Sequence, residues 1–333
     1  MKKDLLDKIQ NKEPLKIMVV SPLYPDDKDN YLNFDFTGNW EMDIRLITNA
    51  EIKKTIQFYK ENDFDALINL CDAYDHPVQP GLNFLKILEA ENILFTGTSS
   101  ANYRMTKLDT KMAVDYTPAF VFVTQPELKE KDFSELTYPL LVKPNLGGGS
   151  YGIDEHSRVH SFAELEIECK KKLPEYPELI VEEYIDGREF TALVVENYGQ
   201  NAAPVCLDPV ECVFKNKVGF KSENVKWADD DFYYDVPKEP ILSRQIKDMC
   251  EEVFRIFNLD GYVRMDIRAN QNGKLFITDI NPYCAIFSDE SSSDFILESN
   301  RHIFKTNQDL LLHLIQCGYQ RQINKFALDS LPS

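Results

Sequence analysis

The sequence predicts a mixed α/β (α+β) fold of several domains, and three observations carry that expectation. Up to about residue 100, short apolar runs alternate with stretches of helical spacing, the order expected of a small parallel α/β unit. Between residues 117 and 195, further short strands frame one amphipathic helix. Near the C-terminal end, Arg264–Asn281 (RMDIRANQNGKLFITDIN) places Asn272-Gly273 between two alternating apolar runs, a strong short-range hairpin signal.

Each element follows from its local pattern. Residues 15–22 (LKIMVVSP) form a buried strand after a charged, helix-like lead-in. Asp43–Asn62 has helical spacing, Ala66–Cys71 is a second buried strand, Gly81–Glu91 a helix and Ile93–Gly97 a strand. Ala101–Val114 is expected to be a linking helix that contains Lys107 and Lys111. In the next unit Ala119–Val123 is a strand, Glu127–Phe133 is polar and turn-rich, and Pro139–Lys143 is a strand stopped by Pro144. Ser161–Lys172 is an amphipathic helix, and Leu179–Ile185 a strand running into Asp186-Gly187. A third unit starts with the strand Glu189–Val195 and continues through a helix at Ile241–Phe257, the hairpin and a closing helix at Leu310–Cys317. The expected division is residues 1–115, 116–187 and 188–333, with no repeat or long linker between them.

The chain has 333 residues, 43% hydrophobic and 28% charged, which is ordinary for a globular protein with ample cores. A formal charge of −18 argues against nucleic acid or an anionic membrane as the main partner, because both would repel the surface. No run approaches the ~18 apolar residues of a membrane span. The N-terminal residues MKKDLLDKIQNKEPLK lack a signal peptide's apolar core, so a cytoplasmic location is expected. The seven cysteines are scattered without a CxxC pair and the five histidines show no HExxH spacing, so neither a zinc site nor a disulfide framework is expected.

Four segments carry candidate chemistry. If the hairpin turns on two residues, Gln271 faces Lys274, Asp266 lies opposite Asp279 and Arg264 opposite Asn281, all four on one face. Opposed carboxylates repel unless something positive sits between them, and a hard cation such as Mg²⁺ is one remedy; an acidic pair facing water is the alternative. Val142–Ile153 (VKPNLGGGSYGI) supplies Gly147, Gly148, Gly149 and Gly152 as a backbone that can approach a phosphate, with Lys143 as a point charge. It lacks the GK[ST] of a Walker A loop, and a flexible glycine turn is the competing explanation. Leu179–Glu189 (LIVEEYIDGRE) puts carboxylates at the end of an apolar strand, suited to an adenine edge and ribose hydroxyls or simply to water. Phe220–Trp227 (FKSENVKW) is an exposed-type loop with Lys226.

Taken in order, MTKLDTK (105–111), VKPNLGGGSYGI, VEEYIDGREFT, FKSENVKW, RMDIR and ITDIN resemble the motifs of the ATP-grasp enzymes, and among them the D-alanine–D-alanine ligases, over about residues 64–282. The resemblance implies a three-domain ATP-grasp fold with ATP held between the central and C-terminal domains. It implies an ATP-dependent carboxylate–amine ligase that forms an amide through an acyl phosphate, releasing ADP and phosphate. Lys107, Lys143, Gly148, Gly149 and Ser150 would then meet the nucleotide phosphates; Glu182, Glu183 and Ile185 would border the adenine, and Glu189 would take the ribose. Asp266, Asp279 and Asn281 would hold Mg²⁺ (or Mn²⁺), Arg264 would steady the acyl phosphate and oxyanion, and Lys226 would reach the transferred phosphate. Small carboxylate and amine substrates of the amino-acid kind, and a homodimer, are likewise what the resemblance implies. A ligase for another peptide or for a non-amino acid, and a nucleotide sensor that no longer ligates, are the rival functions.

The chain departs from the family pattern in the substrate shell. It has Asp279 where the family has Glu, Gly149-Ser150 where the family has two serines, Trp227 in place of a loop tyrosine, and PYCAIFS after Asn281 in place of T-x-P-G-M-T. The family's N-terminal glutamate has no counterpart in VVSPLYPDDKDN. Asp26, Asp27 and Asp29 are a substitute anchor or a solvated turn; Ser291, Ser292 and Ser293 are a carboxylate site or a helix cap. Part of the substrate entry is expected along Leu23–Trp40.

Overall fold

The structure, a computed structural model, describes residues 4–23, 40–71, 78–148, 150–199, 202–215, 232–287 and 291–329, with side chains to residue 325. Lys226, Gly149, the Asp26–Asp29 cluster and the interior of the Leu23–Trp40 stretch lie outside the described residues.

Helix α1 (Leu5–Gln10) leads into β1 (Lys16–Pro22), whose near-continuous burial marks a strand covered on both faces. Strand β1 is the centre of a parallel sheet between β2 (Glu41–Ile47) and β3 (Ala66–Asn69). Here the helical reading of Asp43–Asn62 is corrected. Its first part is β2, and helix α2 (Ile52–Glu61) begins only after a single 3₁₀ turn at Asn49–Glu51, capped by Thr48 and Glu51. The alternating polar residues of Glu41–Arg45 suit a half-exposed edge strand, which a helical window cannot distinguish from a short amphipathic turn. Helix α3 (Leu82–Ala90) follows β3. The strand expected at Ile93–Gly97 is reduced to one parallel bridge, Leu67 to Phe95. The linking helix shortens to α4 (Lys107–Ala113), because Thr106 and Asp109 close a capping box that fixes its start.

A four-stranded antiparallel sheet of order β4-β7-β5-β6 comes next, built from β4 (Phe120–Val123), β5 (Leu140–Pro144), β6 (Arg158–Val159) and β7 (Leu179–Glu183). Helix α5 (Phe162–Lys172), capped by Ser161, packs Leu165 and Cys169 on the face that carries Val123, Val142 and Val181. The opposite face, by strand alternation, presents Phe120, Lys143 and Glu182.

The third sheet contains β8 (Gly187–Val195), β9 (Val205–Cys206), β10 (Val210–Phe214), β11 (Phe232–Asp235), β12 (Tyr262–Asn270) and β13 (Leu275–Asn281). Its order is β11-β10-β8-β12-β13, with β9 paired to the far end of β8. Helix α6 (Pro240–Ile256) covers one face through Ile246, Met249, Cys250 and Val253, against Phe190, Ala192, Val194, Val263, Met265 and Ile267. The intervening residues of β8 and β12 (Glu189, Thr191, Arg264, Asp266 and Arg268) therefore share the other face. Helices α7 (Ser292–Ser299) and α8 (Asn307–Asp329) follow; Leu310, Leu311, Leu314 and Ile315 of α8 join Ile17, Val19 and Leu193 in a core shared with the N-terminal sheet.

Two polar ties and one close backbone approach fasten the N-terminal unit to the third sheet. Asp260 accepts hydrogen bonds from Thr98 Oγ1 at 3.0 Å and the Ser99 N–H at 2.8 Å. The Arg321 guanidinium pairs with Glu196 and donates to the Gly97 carbonyl at 3.1 Å. Gly261 (φ +67°) lies against Gly97, so close that a Cβ there would sit 2.3 Å from the Gly97 carbonyl carbon. Gly261→Ala is therefore expected to destabilise the chain by about 3 kcal/mol or more, from both the clash and the left-handed backbone. A thermal melt measures it, and an unchanged Tm would contradict this close approach.

Candidate functional site

The acidic hairpin reaches its predicted register by an unpredicted route. Asp266 lies opposite Asp279 and Arg264 opposite Asn281, as the turn signal implied. Yet the turn is not two residues long: the Asn270 N–H donates to the Lys274 carbonyl at 3.0 Å and the Gly273 N–H to Asn270 at 2.9 Å. The loop is thus Gln271–Gly273, with Gly273 at φ +77°, a three-residue turn with a glycine in the left-handed region. On this register, strict alternation would put Thr278 opposite Asp266 and turn Asp279 into the core. A β-bulge between Asp266 and Ile267 absorbs Thr278 as an extra residue and restores the expected pairing beyond it. Ile277 and Ile280, three apart in sequence, consequently both reach the α6 core, and Asp279 emerges on the other face.

The bulge also turns the Thr278 carbonyl outwards, where it accepts from Lys143 Nζ at 2.8 Å, while Thr278 Oγ1 donates to the Asp266 carbonyl at 3.0 Å. Lys143 Nζ is also 2.6 Å from Glu182 Oε1, and the second Glu182 oxygen pairs with Lys111 from α4. Glu182 is 2% exposed. Burial opposes its charge, but the Lys111 and Lys143 ammonium groups outweigh that and hold its pKa below the usual 4.5. Burial pulls the Lys107 and Lys111 pKa values below their usual 10.5, against the attraction of Asp279 and Glu182 respectively.

Lys107 is set by the glycine segment itself. Asn145 caps the first turn of α4, its carbonyl and Oδ1 accepting from the N–H groups of Lys107 at 3.1 Å and Leu108 at 2.9 Å. From there Lys107 Nζ donates to the Gly147 carbonyl at 2.7 Å and stands 3.8 Å from Asp279 Oδ1. Gly148 is close enough to the hairpin that a Cβ would touch Asn281 Oδ1 at 3.4 Å. The neighbouring Ser150 has φ +64°, a constrained turn geometry. On the hairpin, Asp266 Oδ1 accepts from Thr191 Oγ1 at 3.0 Å and faces Arg264 Nε at 3.6 Å. The repulsion between Asp266 and Asp279 is thus offset from both sides by the chain's own cations, Arg264 and Lys107. The Arg264 Nε and the Asn281 Nδ2 are both buried without a hydrogen-bond partner, polar groups that face the site unsatisfied.

The structure therefore brings Lys107, Lys143, Gly148, Glu182, Arg264, Asp266, Asp279 and Asn281 together where the hairpin meets the glycine segment. It separates Glu182 from Glu183: the adjacent side chains point to opposite sheet faces, and Glu183 Oε1 accepts from the Thr137 N–H at 2.7 Å. At the other end of β8, Glu189 is held by Arg268, whose Nη1 lies 2.8 Å from Oε2 and whose Nε donates to the Ile185 carbonyl at 2.7 Å. Lys111, Arg268, Thr191 and the Thr278 carbonyl were missed as site groups. Arg268 was legible, since it alternates with Arg264 and Asp266 on one strand face, whereas Lys111 lies on a helix that sequence alone does not orient. Ser291 caps α7, accepting from the Asp294 N–H at 3.1 Å, which is the cap reading of that serine run.

Replacing Glu182 by Gln strands two buried ammonium groups, so stability should fall by about 3–5 kcal/mol at neutral pH. Because the folded pKa of Glu182 is depressed, its contribution is complete above the usual 4.5 and is lost as pH falls through the folded value. Urea unfolding at pH values from about 7 down to about 3 should show the wild-type advantage over Glu182→Gln shrinking on acidification. An advantage that stays constant to the lowest pH would mean that the carboxylate is not held by these two lysines.

The chain is similar to known proteins in sequence and in fold. A D-alanine–D-alanine ligase from Lactococcus lactis subsp. cremoris (strain SK11) is 27% identical over 170 residues, 50% of this chain and 46% of that one. The enzyme of Aquifex aeolicus (strain VF5) is 25% identical over 202 residues, 59% of this chain and 65% of that one. The chain thus covers less than two-thirds of the length of either relative. The crystal structure of the Bacillus anthracis D-alanine–D-alanine ligase complexed with ATP superposes with a TM-score of 0.68 at 18% identity, covering 93% of this chain and 99% of that one. The Coxiella burnetii enzyme gives a TM-score of 0.66 at 16% identity over 94% and 97%. At these identities the likeness shows the fold, which is ATP-grasp. The family model described as "D-ala D-ala ligase C-terminus" matches residues 114–291, more than half of the sequence, and the chain belongs to that D-alanine–D-alanine ligase family.

Proposed function

We propose that the chain is an ATP-dependent carboxylate–amine ligase, forming an amide bond through an acyl phosphate with release of ADP and phosphate. One observation carries the reading: Lys107 spans the glycine segment and the acidic hairpin, 2.7 Å from Gly147 O and 3.8 Å from Asp279 Oδ1. A phosphate chain approaching the glycine backbone would meet Lys107 and Lys143 on one side and a cation-binding carboxylate pair on the other. Phosphoryl transfer to a carboxylate joins two anions, so positioning and charge neutralisation should supply most of the acceleration.

Hard-cation chemistry fits the donors present. Asp266, Asp279 and the amide oxygen of Asn281 form an all-oxygen set, and the unsatisfied Asn281 Nδ2 leaves the orientation of that amide unanchored. These three residues would hold Mg²⁺ or Mn²⁺, which when bound neutralises phosphate charge as a Lewis acid. Arg264, partly buried beside Asp266, presents a fixed positive charge to an acyl phosphate and to the oxyanion that follows it. In this reading Glu182 and Ile185 border the adenine, with Glu183 reaching it only through its main chain, and Glu189, oriented by Arg268, takes the ribose. Gly148, Gly149 and Ser150 cradle phosphate, and Lys226 reaches the transferred group. The domain division at about residues 115 and 187, amino-acid-type substrates, a cytoplasmic location and a homodimer belong to the same proposal. Among the described residues no helix is long and apolar enough to cross a membrane.

A specific observation favours a substrate pair other than two D-alanines. The segment after Asn281 is rebuilt around aromatic and apolar packing: Tyr283 stacks on the buried Tyr103 with ring centroids 4.5 Å apart, and Cys284, Ile286 and Phe287 enter the core. Such a segment cannot present the small, open surface of a glycine-containing loop.

ADP release with Mg²⁺-ATP, measured against a panel of D- and L-amino acids, dipeptides and small carboxylic acids with product masses read in parallel, tests the proposal. An amide product with stoichiometric ADP is expected. ATP binding with no product from any pair would favour the sensor reading. Asp279→Asn should lower turnover by at least about a hundredfold while the fold is kept, and near wild-type turnover would remove Asp279 from the metal set. Lys226→Ala should lower kcat more than ATP affinity; an equal loss in both would argue against a transition-state role.

A further inference from the structure

Lys111 lies behind the nucleotide-facing groups. It comes from the last turn of α4, its side chain is 2% exposed, and its ammonium pairs with Glu182 on the oxygen that Lys143 does not use. It also stands over the Phe120 ring, 5.2 Å from the centroid. The sheet order fixes what lies on each side: Glu182 is on β7, with Phe120 on β4 to one side and Lys143 on β5 to the other. The glycine segment continues from β5, so Lys111 is on the far side of Glu182 from any phosphate held there.

The charge balance gives this arrangement a purpose. Three buried ammonium groups (Lys107, Lys111 and Lys143) face two carboxylates, Glu182 and Asp279, leaving one positive charge in excess. Without Lys111 the same groups would close into two neutral pairs, Lys143 with Glu182 and Lys107 with Asp279. An incoming triphosphate would then have to pull Lys143 away from a buried carboxylate and leave that carboxylate unpaired, which is costly. With Lys111 in place, Glu182 keeps a partner when Lys143 turns to phosphate.

We propose that Lys111 is a positioning residue for nucleotide binding: it neutralises Glu182 from behind and so frees the Lys143 charge for the phosphates of ATP. The inference rests on the ATP reading above but adds a residue that touches neither nucleotide nor substrate. It predicts a loss specific to the phosphate-bearing ligand, because the interaction at stake is with charge and not with the adenine.

The test is calorimetric titration of the full chain with Mg²⁺-ATP and with adenosine, read as the ratio of the two affinities. Wild-type protein that fails to bind Mg²⁺-ATP would sink the nucleotide reading itself, separately from the role of Lys111. With binding established, Lys111→Met should lower the ATP-over-adenosine ratio by about tenfold or more, the scale expected for one lost charge in a buried site. Lys111→Arg, which keeps the charge, should restore the ratio to within about threefold of wild type. The double variant Lys111→Met/Glu182→Gln should recover the ratio as well, since Lys143 then has no carboxylate to hold it. An unchanged ratio in Lys111→Met, or a double variant as poor as the single, would overturn the proposal in favour of a purely structural lysine. If Lys111→Met shows no cooperative melt, the Arg and double variants decide the matter alone: retained ratios in both support it, and a lost ratio in either overturns it.

Discussion

A single ammonium group, that of Lys143, joins the two antiparallel sheets at the point where their polar faces meet. It bonds a carboxylate on its own sheet and a main-chain carbonyl on the other, and each partner is available because of a feature outside its own regular pairing. Glu182 can remain ionised while buried because a second lysine reaches it from a short capped helix. The Thr278 carbonyl can point at Lys143 because its strand carries one residue too many. Buried charge tolerates few geometries, so these groups fix the spacing of the two sheets more narrowly than apolar packing would.

The apolar cores surround this junction without entering it. One face of the four-stranded sheet is filled by α5, and one face of the third sheet by α6, so the polar site residues fall on the remaining two faces, where Leu193 and Val195 of β8 turn towards the N-terminal sheet. The N-terminal sheet contributes differently. It shares a core with α8 and is fastened by Asp260, Arg321 and the Gly97–Gly261 approach, so it is held to the third sheet on the side away from α6. The face of β8 and β12 that carries the site residues follows from alternation once α6 has taken the odd-numbered residues of β12.

Much of this was legible in the sequence, and what was not has physical causes. Buried strands such as β1 and β3 announce themselves by apolar runs too short for helices, and Asn272-Gly273 announced the hairpin. The edge strand β2 did not, because a half-exposed strand next to a helix blurs into one amphipathic window. The separation of Glu182 from Glu183 followed from strand alternation, but assigning both to one pocket from adjacent letters ignored it. Lys111 lay outside any reading of spacing alone, since a pairing across sheet and helix is set by tertiary packing. The acidic pair was placed correctly although the turn was not: the error in the turn and the unforeseen bulge were equal and opposite.

That cancellation constrains how the hairpin can change length. A residue removed from the loop Gln271–Gly273 would shorten the turn and leave every strand pairing in place, while one removed at Thr278 would leave Asp266 facing Asp279 and take away only the carbonyl that Lys143 uses. Insertions and deletions in this segment are therefore not equivalent to one another. Those that preserve which residues share the polar face are the ones at the tip or at the bulge. Variation in hairpin length among related chains would accordingly gather at those two points, with the acidic residues fixed in space.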